Sequence, residues 1–126
     1  MILALAGPAS GWIALALVPL TAAAGWLLRR LRAGSFVRRM RPHYVLGYLA
    51  LAFAVVHLWF SMGGMAGADS LGIWLATFAL VALGCQAIVG SNLQSPGDYR
   101  RPLRRWHIGI FASVLVLALG HVLLNR

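Results

Sequence analysis

The sequence predicts an all-α integral membrane protein, a four-helix bundle with both termini on the non-cytoplasmic side, and three observations carry that prediction. Four apolar runs without a charged side chain are each about as long as the roughly 20 residues a helix needs to cross a bilayer core. Arginines collect in two of the three connections between those runs, and the third connection has none. Of 126 residues 61% are hydrophobic and 10% charged, where an ordinary soluble domain carries about 25% charged residues.

The first span covers about residues 11–28 (GWIALALVPLTAAAGWLL), the second 43–62 (HYVLGYLALAFAVVHLWFSM), the third 71–90 (LGIWLATFALVALGCQAIVG) and the fourth 106–124 (WHIGIFASVLVLALGHVLL). A closed β-barrel is the other way to cross a membrane, but these continuous runs lack the alternation its strands require. Pro19 falls inside the first span, where a kink is expected without a break, because membrane helices tolerate proline better than soluble ones. Trp12, Trp26, Trp59, Trp74 and Trp106 lie near span ends, where an indole buries its ring and hydrogen-bonds at headgroup level. One transmembrane domain over residues 1–126 is the simplest organisation.

Eleven arginines against Asp69 and Asp98 give a formal charge of +9, which invites a nucleic-acid reading. Position argues against it. Six arginines (Arg29, Arg30, Arg32, Arg38, Arg39, Arg41) precede the second span and four (Arg100, Arg101, Arg104, Arg105) the fourth, whereas a nucleic-acid domain displays its charge on a soluble face. Basic counts of six, zero and four in the successive connections place the arginine loops in the cytoplasm and both termini outside. Met1–Ala6 is apolar without the positive start of a secretory signal, and the segment reads as part of a retained first helix. Cys85 is the only cysteine; its apolar neighbours predict a small buried side chain, and it has no intrachain disulfide partner.

All four histidines sit in two spans, His43 and His57 in the second, His107 and His121 in the fourth. Both separations are fourteen residues (57 − 43 and 121 − 107). Fourteen steps of about 100° return a helical side chain to within roughly 40° of its starting direction, about 21 Å along the axis. Both helices run outward in the expected topology, so His43 lies level with His107 and His57 with His121. Two facing imidazole pairs suit two haem irons, each with one axial ring on either side of the porphyrin. Zinc prefers a single tetrahedral shell, which rings so far apart on one helix cannot share. A lone histidine in a bundle is ordinarily satisfied by a carbonyl or water; four with matched spacing point to function, since ionisable residues inside a membrane are costly.

RPHYVLGYLALAFAVVHLW and RRWHIGIFASVLVLALGHVLL resemble the paired haem-binding helices of dihaem cytochromes b, and are similar to helices of respiratory cytochrome b and of ferric-reductase-like membrane domains, where arginine or an aromatic often precedes the first histidine. The resemblance covers the second and fourth spans. It implies axial ligation of two b-type haems by His43, His57, His107 and His121, with electrons carried across the bilayer. Covalent attachment lacks its thiols, since no Cys-x-x-Cys-His occurs. Gly47 and Gly109 follow the inner ligands and Gly120 precedes an outer one; each could admit a flat macrocycle, and ordinary helix packing explains any one of them equally well. Arg41, Arg104 and Arg105 stand at the cytoplasmic mouth, where guanidinium groups could pair with propionates of the inner haem or simply fix topology.

The function these readings imply is a dihaem b-type electron-transfer subunit of a respiratory or redox complex, with quinone and other subunits as expected partners, membrane lipid around it and no nucleic acid. The expected location is a prokaryotic cytoplasmic (inner) membrane. Two alternatives remain open at this level. One is a stand-alone small oxidoreductase between quinone and a small oxidant or reductant, which needs an open site near His57 or His121. The other is a haem-free membrane anchor whose histidines pack or bind quinone. The topology has its own test: a thiol reagent confined to the outside should label a cysteine introduced between residues 61 and 70 and leave one in either arginine loop unlabelled. The reverse pattern overturns the orientation.

Overall fold

The computed structural model describes residues 2–30, 35–62, 69–94 and 97–125, with side chains from residue 6 onward. Arg32 and most of the predicted 61–70 connection lie outside the described residues. Four helices follow one another, α1 (Ile2–Arg30), α2 (Phe36–Ser61), α3 (Ser70–Asn92) and α4 (Arg100–Leu124), and the described residues contain no strand. All four are long and apolar enough to cross a membrane.

Each helix overruns its predicted span at its N-terminal end. The apolar run measures the lipid core, but the hydrogen-bond ladder has no reason to stop where the arginines begin, since a helix satisfies its own backbone whatever its side chains. Thus α2 begins at Phe36, carrying Arg38, Arg39 and Arg41, and α4 begins at Arg100 with its four arginines. Both Pro8 and Pro19 lie inside α1, which continues through them. At the end of α1 the Arg29 side chain folds back along its own helix, its Nε donating to the Gly25 carbonyl (2.9 Å), and the Arg30 guanidinium sits 3.8 Å from the Trp26 ring centroid.

The start of α3 is fixed by an acid. Asp69 has extended backbone angles, and its Oδ1 accepts from the Leu71 N–H (2.7 Å) and the Gly72 N–H (3.1 Å), so two of the four orphan donors of the first turn are satisfied. A carboxylate there also complements the positive end of the helix dipole. At the far end of α4 the Asn125 Nδ2 donates to the His121 carbonyl (2.9 Å).

The chain divides into two compact units, residues 1–60 with α1 and α2, and residues 61–126 with α3 and α4. Each is an antiparallel helical hairpin. Little of either is closed to its surroundings: among the described residues the buried apolar side chains are Ala14, Val18, Met40, Ala50 and Val114, and no large side chain is fully buried. The five tryptophans are all exposed, from 54% for Trp26 to 72% for Trp59, which is what helices solvated by lipid require. Cys85 corrects a sequence expectation. It is exposed rather than buried, because a residue in an apolar run of a membrane helix can turn to lipid as readily as to protein. Replacing Asp69 by alanine should lower stability in detergent unfolding by about 1 kcal/mol, and asparagine, an equally good cap, should restore most of it. Equal stability of D69A and the parent would show that the cap is idle.

Candidate functional site

In the first hairpin two carbonyls of α1 receive the two rings of α2. His57 Nδ1 donates to the Gly7 carbonyl and His43 Nδ1 to the Thr21 carbonyl, both at 2.8 Å. These acceptors are themselves fourteen residues apart (21 − 7), matching the ring spacing on α2. One turn beyond each acceptor stands a glycine. A Cβ built on Gly11 would lie 2.7 Å from His57 Nδ1, and one on Gly25 would lie 2.8 Å from His43 Nδ1, so any side chain at either position would displace the ring. Gly11 and Gly25 again differ by fourteen (25 − 11). The stripe Gly7, Gly11, Ala14, Val18, Thr21, Gly25 repeats at alternating steps of three and four and presents one nearly smooth face to α2.

The second hairpin repeats much of this plan. His121 Nδ1 donates to the Gly72 carbonyl at 2.9 Å. Asn125 Nδ2 lies 3.3 Å from the same Nδ1, but two donors cannot share a hydrogen bond, and the shorter contact to a carbonyl sets the proton on Nδ1. His107 turns its Cε1 edge to Gly90, where a built Cβ would stand 3.1 Å away. Its Nε2 lies 3.3 Å from Gln86 Nε2, so the Gln86 amide donates to a ring nitrogen that carries a lone pair. Gly72 and Gln86, like Gly7 and Thr21, are fourteen residues apart (86 − 72).

A carbonyl oxygen only accepts, so the three Nδ1 contacts assign His43, His57 and His121 to the tautomer protonated on Nδ1. In the neutral ring the lone pair then belongs to Nε2. This is the arrangement by which metal-ligating histidines are ordinarily held: one nitrogen donates to a carbonyl, which raises the basicity of the other and fixes the plane of the ring. All four rings are partly buried.

The other residues singled out from the sequence lie apart from these contacts. Gly47 faces α1, where a Cβ would meet the Thr21 methyl at 3.7 Å, and Gly120 faces α3, where it would meet Leu75 Cδ1 at 3.1 Å. A Cβ on Gly109 would meet nothing within 4 Å. Arg41, Arg104 and Arg105 are exposed near the N-terminal ends of their helices. Gly11, Gly25, Gly90 and Gln86 are not among the residues the sequence predicts for the site, although the fourteen-residue interval between Gly11 and Gly25 repeats that of the histidines. No family model, curated protein or solved structure matches this chain.

The glycine contacts give a comparison free of any cofactor. Alanine at Gly84, where a Cβ meets nothing within 4 Å, should stabilise the helix by roughly 0.5–1 kcal/mol. Alanine at Gly11 or Gly25 has the same propensity gain but drives a ring from its carbonyl, and should fall below the Gly84 variant by about 1 kcal/mol or more in detergent unfolding. Equal stabilities for the three would mean that the rings do not depend on these glycines.

Proposed function

We propose that this chain is a dihaem b-type cytochrome subunit, a four-helix membrane bundle that carries electrons across the bilayer within a larger respiratory or redox complex linked to quinone. The carrying observation is that three of the four candidate ligands donate Nδ1–H to a carbonyl of their own hairpin, which leaves Nε2 as the basic nitrogen. A structural histidine needs only one satisfied contact, but the ring partners on α1 and α3, Gly7 with Thr21 and Gly72 with Gln86, repeat the fourteen-residue spacing of the histidines, which suits a stacked pair of sites.

In this reading His43 pairs with His107 on the cytoplasmic side and His57 with His121 on the outer side, in the prokaryotic cytoplasmic membrane with both arginine loops inside. Bound haem supplies a reversible ferric/ferrous couple at each level. The protein supplies what makes that couple useful. His43, His57 and His121, each held by a carbonyl of its own hairpin, would hold the haem iron through Nε2 with the ring plane already set. The apolar helices exclude water from the rings and so limit the reorganisation that accompanies each electron. Arg41, Arg104 and Arg105, at the helix ends beside His43 and His107, could neutralise propionates at that level.

Purified protein should yield two noncovalent b-type haems per chain by pyridine haemochrome assay. Replacing His57 or His121 by alanine should remove the same spectral component, and replacing His43 or His107 the other, each leaving the remaining component with its own redox midpoint. Loss of either should stop electron transfer between the faces, since the surviving centre would be about 21 Å from the emptied position. Absence of haem overturns the proposal, and loss of one shared component by the His43 and His57 variants overturns the pairing.

A further inference from the structure

We propose that Gln86 is a specificity-determining residue for the metal position at His107, where its amide competes with iron for the ligating nitrogen. The inference rests on the dihaem reading above and goes beyond it by separating one ligand from the other three through a residue that is itself no ligand. Imidazole Nε2 has one lone pair, in the plane of the ring. In the structure that lone pair faces the Gln86 amide nitrogen at 3.3 Å, so the nitrogen can serve either the amide N–H or a metal ion, and not both.

Two features make the competition specific. Gln86 lies one helical turn before Gly90, the glycine against which the His107 ring is seated (3.1 Å from a built Cβ to Cε1), so the helix that admits the ring also aims the amide at it. The amide is also anchored from one side only. Its Oε1 is buried and has no hydrogen-bond partner among the described residues, so no second hydrogen bond has to break when the N–H lets go. Metal binding at His107 therefore exchanges a hydrogen bond for a coordinate bond, and the site is weaker than its imidazole alone would make it. Removing the amide should tighten haem there roughly fivefold, the weight of one ordinary intramolecular hydrogen bond.

The test uses the full chain with its haem in detergent. Haem is allowed to partition between the protein and an excess of soluble apo-protein scavenger, and the two spectral components are followed separately, the His107 component being the one that H107A abolishes. Q86L and Q86M, both close to glutamine in volume, should each raise retention of that component about fivefold and leave the component abolished by H57A unchanged. A destabilised fold loses haem more readily, so a gain in retention separates competition from a packing role. Unchanged or reduced retention, or an equal change in both components, overturns the role of Gln86 while leaving the dihaem reading intact. Absence of haem from the parent protein overturns both.

Discussion

Each hairpin is organised around a hydrogen bond from an imidazole Nδ1 on one helix to a main-chain carbonyl on the other. The partners are His57 with Gly7 and His43 with Thr21 in the first hairpin, and His121 with Gly72 in the second. An ionisable ring within an apolar span carries a desolvation cost unless its polar atoms are met. Meeting it with a helix carbonyl has three consequences at once: the register of the two helices is fixed, the tautomer is fixed, and the backbones must come close enough for a ring to reach past the side chains of the neighbour. The last consequence is why Gly11 and Gly25 stand where they do. Interhelical hydrogen bonds in membranes average only about 0.6 kcal/mol, so their importance is in the geometry they impose more than in the stability they add.

That geometry is consistent with so small a buried core. In lipid, apolar side chains gain little by leaving their surroundings, and helices associate through close packing of small residues and a few polar contacts. Ala14, Val18 and Ala50 are buried while Trp12, Leu20 and Val55 are exposed on the same helices. A soluble hairpin with this distribution would aggregate; one in a bilayer is correctly solvated. Among the described residues the charged side chains stand at or near helix ends, where Asp69 satisfies two donors of α3 and Arg29 turns back to the Gly25 carbonyl of α1.

The two hairpins share a plan and differ in one chemical detail. Both carry rings fourteen residues apart on the second helix and seat a ring against glycine, Gly11 and Gly25 in one and Gly90 in the other. The second hairpin adds an amide, Gln86, at the interval where the first has Thr21, and it reaches the Nε2 of His107. An amide can donate where a hydroxyl already bound to its own helix cannot: Thr21 Oγ1 donates to the Leu17 carbonyl at 2.7 Å. The two halves of one short chain thereby give chemically different surroundings to residues of the same type.

The four apolar runs, the helical class and the common facing of His43 with His57 and of His107 with His121 were legible from the residues alone, because span length and helical phase are local properties that each segment fixes for itself. Helix ends were less legible: the runs of arginine mark where lipid stops, and the backbone ladder continues through them. Gly47, Gly109 and Gly120 drew attention as chain neighbours of histidines, yet the glycines that the rings touch, Gly11, Gly25 and Gly90, belong to the antiparallel partner helix. Cys85 shows the same limit, since an apolar neighbourhood in sequence does not say which side of the helix meets protein and which meets lipid. What the sequence determined by itself was which residues could cross a membrane and how far apart along a helix their chemistry would stand. Only the tertiary structure decided which carbonyl or amide each imidazole meets, and hence which nitrogen carries the lone pair, because that choice depends on the register between two helices and no single helix contains it.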